Sequence, residues 1–525
     1  MRLPSQVHPP RIALSDALLV GPGPGEGAGT PVLALPVLPA GDGDEGVSLG
    51  PGAAAVLDHL ETHGRGAGEV FSVLEQARAS GRAGEVTAMP VPTDEIDLLL
   101  LVGVGDAGSD DLRRAGAAIA RRCHDLDAVA TSVAALADPA GFRAFVEGVV
   151  LGSFGFHWRS EGPRSRPVPR VVLTGLGPGT EHADLLDRAT AVAGAGWAAR
   201  TLAFVPSQLK SPAWLADQAA IFAERSGLEL EVWDEHRLAA EGFGGIVGVG
   251  QAAAAPPRLI RLSYTPRGIS RSRAKRLPHV VLVGKGITFD TGGLSIKPAE
   301  AMATMKRDMT GGGVVLAVMD ALEALDCRVR VTGLVPAAEN AISGSALRPG
   351  DVIRHYGGRT SEVTNTDAEG RLVMADALAY AVDRLDPTVL VDVATLTGAV
   401  KVALGLRTGG IFADDDALAD HLRAAGRSAG EPLWRLPLAD EYLDLLDSEV
   451  ADADNAAGGP GAITAALFLR PFTGDVPWAH LDIASVGDSP TDSYEWSAGP
   501  TGFGARLLLH WLEQQEPLAG VGAAS

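Results

Sequence analysis

The sequence predicts an α/β protein with two domains, a smaller N-terminal α/β domain and a larger C-terminal α/β domain built on a central mixed sheet flanked by helices. Three observations lead to this prediction. The chain has 525 residues, which allows two or more domains at roughly 100 to 200 residues each. Short apolar runs typical of buried strands alternate with helical patterns. A break that contains Pro206 and Pro212 separates two such series.

The first series begins in a segment rich in Gly and Pro, which predicts one or two strands joined by long turns over the first fifty residues. Strands are then predicted at 98–104 and 171–173, with a helix at 111–122 between them. A further helix is predicted at 184–202. We therefore divide the chain into an N-terminal domain, a connecting helix and a C-terminal domain. Their bounds are 1–183, 184–205 and 206–525.

The second series alternates more clearly. Strands are predicted at 280–283, 329–335 and 389–393, and helices at 314–325 and 371–385. The last helix carries an apolar stripe that would pack on a sheet; its residues are Met374, Leu378, Val382 and Leu385. In open α/β sheets, ligand-binding groups follow the carboxyl ends of strands, so these loops are where a site is expected.

Composition and charge restrict the class of function. The chain has 44 Lys and Arg against 65 Asp and Glu, a net charge of -21, which disfavours nonspecific nucleic-acid binding. Cys123 and Cys327 supply neither a disulfide framework nor a thiolate metal cluster. The N-terminus lacks the apolar run of a secretory signal, and no apolar run approaches the ~20 residues that cross a bilayer. We expect a cytoplasmic protein without a membrane partner.

Three short motifs match known sites but are better explained by local structure. The glycines at 103–108 fit a dinucleotide fingerprint, yet no second nucleotide element accompanies them, so a tight strand-to-helix turn is favoured. The Gly-Val-Ser-Leu-Gly stretch at 46–50 lacks the strand and helix that flank a nucleophile elbow. His59 and His63 have the spacing of a zinc motif with its glutamate out of place, which favours a solvated helix face.

Ionisable residues are dense in three segments rich in Gly or turn residues, at 283–298, 305–313 and 365–372. Lys285 and Asp290 follow the predicted strand at 280–283. The glycines around them permit close approach of backbone to a ligand. These segments are the candidates for a functional site, and solvated charged loops are the alternative.

Four carboxylates, Asp290, Asp308, Asp367 and Glu369, would share one site if the segments converge. Their mutual repulsion would have to be relieved by protonation or by cations, and two divalent ions would neutralise the charge. Oxygen ligands favour Mg, Mn or a carboxylate-bound Zn pair. Lys285 can act as a ligand only as the free amine, and an adjacent dication is the perturbation that could deprotonate it.

Together the three segments resemble the leucyl aminopeptidase family, the hexameric dimetal cytosol aminopeptidases. The most specific stretch is Asn-Thr-Asp-Ala-Glu-Gly-Arg-Leu at 365–372, which matches the family's octapeptide without a departure. The first 200 residues resemble the family only in α/β character and position. Supporting stretches appear in the family's order at 284–298, 305–309, 348–353, 392–399, 434–438, 463–469, 480–484 and 501–506.

The resemblance implies a set of metal ligands in the C-terminal domain, which would be the catalytic domain. Asp290 and Glu369 would bridge both metals. Lys285 and Asp308 would complete the tighter site, and Asp367 the more exchangeable one.

The resemblance also implies the catalytic groups. Lys297 would polarise the scissile carbonyl, and Arg371 would hold a bicarbonate ion that serves as general base. Substrate or bicarbonate contacts would come from residues nearby, with Met305 lining the pocket for the first side chain. These residues are Met305, Asn365, Ala368, Gly370 and Leu396.

The implied activity is that of a metal-dependent aminopeptidase which attacks the first peptide bond with a water or hydroxide bridged by two metals. Its substrates would be peptides with a free N-terminus, with a leucine-type preference, and its metals Mn or Zn, with Mg or Co as alternatives. The assembly would be a homohexamer. An added DNA-binding regulatory role and a peptide-binding homologue without turnover are the alternatives. The net charge argues against the first, and the complete ligand set against the second.

One departure from the family bears on the pocket. Gly311, Gly312 and Gly313 stand where alanines are usual. We expect these glycines to open a helix with less side-chain packing, which would alter the pocket wall.

Overall fold

The computed structural model describes residues 3–17, 32–40, 46–93, 96–177, 179–456 and 458–523. The chain forms two compact units. The N-terminal unit contains Leu3–Trp197 and Pro490–Ala498, and the C-terminal unit contains Ala198–Ser489 and the chain from Gly499 onward. In the described residues, no helix is both long and apolar enough to cross a membrane.

The N-terminal unit has an α/β fold, as the sequence predicts. Its strands are β1 (Arg11–Ser15), β2 (Val32–Pro39), β3 (Val47–Leu49), β4 (Val86–Pro90), β5 (Leu98–Gly103), β6 (Ala128–Thr131) and β7 (Arg170–Thr174). Its helices are α1 (Ala53–Thr62), α2 (Ala67–Gln76), α3 (Ser109–Arg122), α4 (Pro139–Gly152) and the start of α5 (Thr180–Phe204).

These strands form one sheet in the order β1-β7-β6-β2-β5-β4, with β3 paired to β2. The pairs from β1 to β5 along this order are parallel, and β4 and β3 pair antiparallel. Strands β2 and β5 are almost wholly apolar and buried, as parallel strands covered on both faces are. The long Gly- and Pro-rich turns predicted near the N-terminus fall largely at 18–31 and 41–45, outside the described residues.

The motifs of this unit that match known sites are local structure. Gly103 ends β5, and a Cβ there would lie 2.1 Å from Arg82 O. Gly105 has a φ of 53°, in the left-handed region that glycine adopts at little cost. Ser48 lies within β3, and His59 lies on α1. The strand-to-helix turn at 103–108 is therefore confirmed.

The C-terminal unit contains the rest of the chain's described elements. Its strands are β8 (Glu229–Trp233), β9 (Arg258–Tyr264), β10 (His279–Gly284), β11 (Gly286–Asp290), β12 (Arg330–Asn340), β13 (Asp351–Arg354), β14 (Thr360–Val363), β15 (Val389–Ala394), β16 (Gly409–Ala413), β17 (Leu433–Arg435), β18 (Trp478–Asp482), β19 (Asp488–Ser489) and β20 (Gly499–Pro500). Its helices are α6 (Pro212–Ser226), α7 (Glu235–Glu241), α8 (Gly244–Gly250), α9 (Arg271–Ala274), α10 (Ala299–Met302), α11 (Thr310–Ala321), α12 (Glu369–Leu385), α13 (Gly398–Leu404), α14 (Asp416–Ser428), α15 (Gly461–Leu469) and α16 (Ala505–Leu512).

The central sheet of this unit is mixed. Its order is β17-β16-β18-β15-β10-β12-β9-β8, with β11 also paired to β12. The four middle strands β18, β15, β10 and β12 are parallel, whereas β9 and β8 continue the sheet antiparallel. Strands β10 and β15 are buried at every residue. The strands predicted at 280–283, 329–335 and 389–393 are confirmed as β10, β12 and β15.

Two helices begin earlier than the sequence pattern predicts. Helix α11 begins at Thr310 rather than 314, and α12 begins at Glu369 rather than 371. In α11 the early turn consists of the three glycines, which are all buried. A Cβ on Gly311 would lie 2.0 Å from Val393 O. The expectation of looser packing is therefore wrong at Gly311, because the absent side chain lets α11 press directly on β15.

Candidate active site

The candidate site lies where the parallel strands of the C-terminal sheet end. Lys285 follows β10, Asp290 ends β11, and Glu369 is the first residue of α12. Asp308 lies just before α11, and Asp367 lies in the turn before α12. This is the edge where the topology of open α/β sheets places ligand-binding groups.

The structure brings the five candidate metal ligands together. Lys285 Nζ lies 2.6 Å from Asp308 Oδ2 and 2.9 Å from Glu369 Oε1. Ligand oxygens of Asp290, Asp367 and Glu369 all lie within 4.8 Å of one another. The carboxylates that the sequence separates by up to about eighty positions thus form one cluster.

Lys297 joins the same cluster. Its Nζ lies 2.7 Å from Asp290 Oδ2 and forms a second ion pair with Asp367 Oδ1. Its side chain keeps 13% of its surface exposed, whereas that of Lys285 keeps 4%. Of the two lysines, Lys297 is therefore the one more open to solvent.

Burial and mutual repulsion shift the acid groups of the cluster. Burial and the charge of Asp290 raise the pKa of Glu369 to about 8. Burial also raises the pKa of Asp308 and of Asp367 above the ordinary range. Such shifts show that this cluster needs positive charge to hold several ionised carboxylates.

The two lysines supply positive charge within the cluster. Burial alone would lower the pKa of Lys285, but the charges of Asp308 and Glu369 outweigh burial and raise it. For Lys297, the charges of Asp290 and Glu369 and the hydrogen bonds to Asp290 and Asp367 together outweigh burial, and the pKa is raised. Both lysines are therefore protonated at neutral pH as the side chains lie.

The donor set fits divalent cations. Carboxylate oxygens are ligands that Mg, Mn and Zn accept. Glu369 Oε2 is buried and has no hydrogen-bond partner among the described residues. An unpartnered buried carboxylate oxygen is costly, and a cation would satisfy it. Lys285 could join such a site only as the neutral amine, which a neighbouring dication favours.

Arg371 lies in the first turn of α12 and is buried, with 8% of its surface exposed. Its Nη1 donates to Asn455 O at 2.7 Å, while its Nε has no hydrogen-bond partner among the described residues. Burial lowers the pKa of Arg371 to about 10, so it remains a cation at neutral pH. A buried guanidinium with an unused donor is suited to bind a small anion.

The less specific candidates surround this cluster. Gly370 lies against Lys285, since a Cβ there would meet Lys285 Cε at 2.4 Å. Leu396 N donates to Asp482 Oδ1 at 3.1 Å, and Ala368 N to Asn365 O at 3.2 Å. Both amides thus have protein partners already.

The remaining two candidates lie on the turns that carry ligands. Asn365 Oδ1 accepts from Asp367 N at 2.8 Å, which shapes the turn before Glu369. Met305 is half-buried and begins the short 3₁₀ turn Met305–Arg307 that leads to Asp308.

Three residues that support the ligands were missed in the sequence. Asn340 Nδ2 donates to Asp290 Oδ1 at 2.8 Å, and Thr395 Oγ1 donates to Asp308 Oδ1 at 2.7 Å. Asn455 binds Asn365 O through Nδ2 at 2.8 Å. Groups that orient metal ligands matter almost as much as the ligands. Asn340 ends β12 and lies shortly after the strand predicted at 329–335, and this position is the signal that could have marked it.

A buried Ser-His-Asp arrangement occurs outside the cluster. His355 Nδ1 lies 3.0 Å from Asp376 Oδ1, and its Nε2 lies 2.9 Å from Ser361 Oγ. All three residues are essentially inaccessible. Since no substrate can reach Ser361, this hydrogen-bond chain joins β13, β14 and α12 structurally and is not a nucleophilic site.

Family comparisons match both units. The model of the "Cytosol aminopeptidase family, catalytic domain" matches residues 197–509, and the model of that family's N-terminal domain matches residues 44–159. A "Probable cytosol aminopeptidase" of Micrococcus luteus is 41% identical over 524 residues, which covers 95% of this chain and 96% of the relative. Its counterpart in Streptomyces coelicolor is 39% identical and covers 91% and 95%.

Solved structures give the same match. The bottromycin maturation enzyme BotP in complex with Mn superposes with a TM-score of 0.78 at 36% identity, over 92% of this chain and 99% of BotP. A mutant of tomato leucine aminopeptidase superposes with a TM-score of 0.82 at 30% identity, over 97% and 98% of the two chains.

Proposed function

The chain belongs to the cytosol aminopeptidase family, and from this membership we propose that it is a dimetal aminopeptidase that releases N-terminal residues, leucine among the preferred ones, from peptides with a free N-terminus. The observation that carries the proposal is the cluster of four carboxylates and Lys285. It has the donors for two divalent ions and a buried oxygen, Glu369 Oε2, that lacks a hydrogen-bond partner among the described residues.

Within this proposal, Asp290 and Glu369 would hold both ions. Lys285 and Asp308 would complete one site, and Asp367 would complete the other. The chemistry that two divalent ions would supply is the activation of water for attack on a carbonyl. Asn340 and Thr395 hold Asp290 and Asp308 in place through the hydrogen bonds described above.

Lys297 would stabilise the negative charge that develops on the scissile carbonyl oxygen. Its raised pKa keeps it a donor at neutral pH, and its partial exposure leaves it within reach of a substrate. A fixed donor aimed at a developing oxyanion is worth about 3 kcal/mol in comparable sites.

Arg371 would hold a bicarbonate ion that accepts the proton of the attacking water. The guanidinium is buried, Asn455 O fixes one of its nitrogens, and its Nε is left without a partner among the described residues. The described residues beside the cluster include no histidine positioned for this task. His480 is fully buried and its Nδ1 is bonded to Asp392 at 2.5 Å.

We propose Mn or Zn as the metals, with Mg or Co as substitutes. Mn is the first metal to test, because the similar structure of BotP is a complex with Mn. On the family resemblance, we also propose that the protein is a homohexamer and that it is cytoplasmic. The proposed domain bounds are 1–183, 184–205 and 206–525. The chain's charge of -21 gives no support to a nucleic-acid role.

The test is hydrolysis of leucine p-nitroanilide against its N-blocked counterpart. The purified protein is first stripped with a chelator and then supplied with Mn, Zn, Mg or Co. We expect activity only on the free amine and only with metal. Equal cleavage of the blocked substrate would contradict the aminopeptidase proposal, and full activity after stripping would contradict the metal requirement.

A further inference from the structure

Lys210 is a buried lysine to which the proposed mechanism gives no role. It lies between α5 and α6, and none of its surface is exposed. Burial, together with the positive charge of Lys306, lowers its pKa well below the ordinary value. A buried cation is costly unless hydrogen bonds compensate it, so its partners indicate what it does.

Three backbone carbonyls surround the Lys210 side-chain nitrogen. Nζ donates to Leu202 O at 3.1 Å, to Ala203 O at 2.9 Å and to Lys306 O at 2.5 Å. An ammonium group has three donors and no acceptor. The three carbonyls therefore match the protonated form, because a neutral amine has one donor fewer.

The side chain of Lys306 makes a second connection, from the turn back to the end of α5. Its Nζ donates to Phe204 O at 2.9 Å and lies 5.5 Å from the centroid of the Phe204 ring. The last three carbonyls of α5 thus bind lysine ammonium groups, which suits the negative end of a helix dipole. The two lysines fasten residue 306 to the C-terminus of α5 through both its main chain and its side chain.

The turn that this link holds has little apolar anchoring on its N-terminal side. Neither α10 nor the turn Met305–Arg307 contains a buried residue. On the C-terminal side, Thr395 holds Asp308. Lys210 is thus a buried polar anchor for Lys306, which lies two positions before Asp308.

We propose that Lys210 is a positioning residue for the candidate metal site: its ammonium group ties the turn Met305–Arg307 to the end of α5 and so sets where Asp308 and Met305 lie. The consequence for Asp308 as a ligand and Met305 as a pocket residue rests on the proposed function. The tie between the turn and the helix does not.

The tie is tested by hydrogen exchange on stripped protein, without metal or substrate. Lys210→Met keeps an unbranched side chain and removes all three donors. We expect the amides of a peptide covering 299–309 to exchange about tenfold faster than in the wild type, since three buried carbonyls lose a partner. The amides of Arg307 and Asp308, which donate to Thr304 O and Met305 O, report directly on the turn.

Tyr264→Phe is the matched control. It also removes a hydrogen bond to a buried carbonyl, Cys327 O at 3.0 Å, but outside the turn. This variant should lose stability without faster exchange at 299–309. Wild-type exchange at 299–309 in Lys210→Met would overturn the proposal, as would equal acceleration in both variants.

The consequence for the site is tested by calorimetric titration with Mn. We expect affinity for the tighter ion to fall roughly tenfold or more in Lys210→Met, the range found when groups that orient ligands are removed. The kcat/KM ratio of leucine to alanine p-nitroanilide should also change. Unaltered affinity and ratio would overturn the positioning role, whereas a wild type that binds no Mn would contradict the proposed function instead.

Discussion

At the scale of single residues, Glu369 bears much of the electrostatic cost of the candidate site. It is 2% exposed, its Oε1 pairs with Lys285, and its Oε2 has no hydrogen-bond partner among the described residues. Its pKa is raised to about 8 by burial and by Asp290. Such a residue destabilises the fold unless a cation neutralises it, which is typical of a functional carboxylate.

Glu369→Gln is the first prediction at this scale. The substitution keeps the side-chain shape and removes the charge, so we expect kcat/KM to fall roughly 100-fold or more while the circular dichroism spectrum is retained. Glu300→Gln, an exposed carboxylate on α10, is the control and should keep wild-type rates. Near-normal turnover by Glu369→Gln would show that Glu369 does not hold the metals.

Arg371→Ala is the second prediction. Removing the guanidinium removes the proposed site of the bicarbonate base, and general-base groups contribute about 10²- to 10⁴-fold. We expect a rate loss in this range with partial rescue by added bicarbonate. Arg384→Ala, in the exposed last turn of the same helix, should behave as wild type. If added bicarbonate changes the rate of neither the wild type nor the two variants, bicarbonate is not the general base.

At the scale of elements, the first turns of α11 and α12 place the ligands beside the strand ends. The sequence pattern predicts both helices but misses these first turns, because Gly is a poor helix former and Asp-Ala-Glu-Gly reads as a turn. In these two turns, tertiary packing outweighs the low helix propensity of the residues. Asn340 and Asn455 were missed for a related reason, since Asn340 and Asp290 are fifty positions apart and Asn455 and Asn365 are ninety.

Gly311→Ala is the prediction at this scale. Its added Cβ would lie 2.0 Å from Val393 O and 3.0 Å from Lys285 N, and overpacking costs about 1 to 3 kcal/mol. We expect a lower free energy of unfolding and weaker metal binding. Gly313→Ala is the control in the same turn, because the nearest atom to its Cβ would be the flexible end of Met309 at 3.1 Å, with Leu202 and Ala199 at ordinary contact distances of 3.6 and 3.7 Å. Greater loss in Gly313→Ala than in Gly311→Ala would contradict this account.

At the scale of the whole molecule, the sequence predicts two α/β units and the strands that flank the site. It does not predict that Pro490–Ala498 belongs to the N-terminal unit. That segment is held by contacts such as Arg121 Nη2 to Trp496 O at 2.9 Å, between residues 375 positions apart. Periodicity reports on local structure, so pairings of this length have no signal in a single sequence.

The last prediction concerns stability as a function of pH and metal. The folded-state pKa of Glu369 is raised to about 8, so the folded protein holds the Glu369 proton more tightly than the unfolded chain does. The stability that this proton gives to stripped protein is fully present at low pH and is lost as pH rises from about 4.5 through 8. Metal ions compete with that proton, so they bind more tightly as pH rises. Stripped protein is thus less stable at higher pH, and the metal binds more tightly there. The gain in Tm on adding saturating Mn should therefore be larger at pH 8 than at pH 6.

Differential scanning fluorimetry of stripped and Mn-loaded protein at the two pH values measures this gain. At 100 times Kd, one bound ion stabilises the fold by about 2.7 kcal/mol, a shift well within reach of the method. Glu369→Gln tests whether Glu369 causes this pH dependence. Glutamine does not titrate, so the gain in Tm of this variant on adding Mn should change less between pH 6 and pH 8. An equal dependence on pH in both proteins would assign the effect to other groups, and no gain at either pH would mean that the carboxylate cluster does not bind the ion.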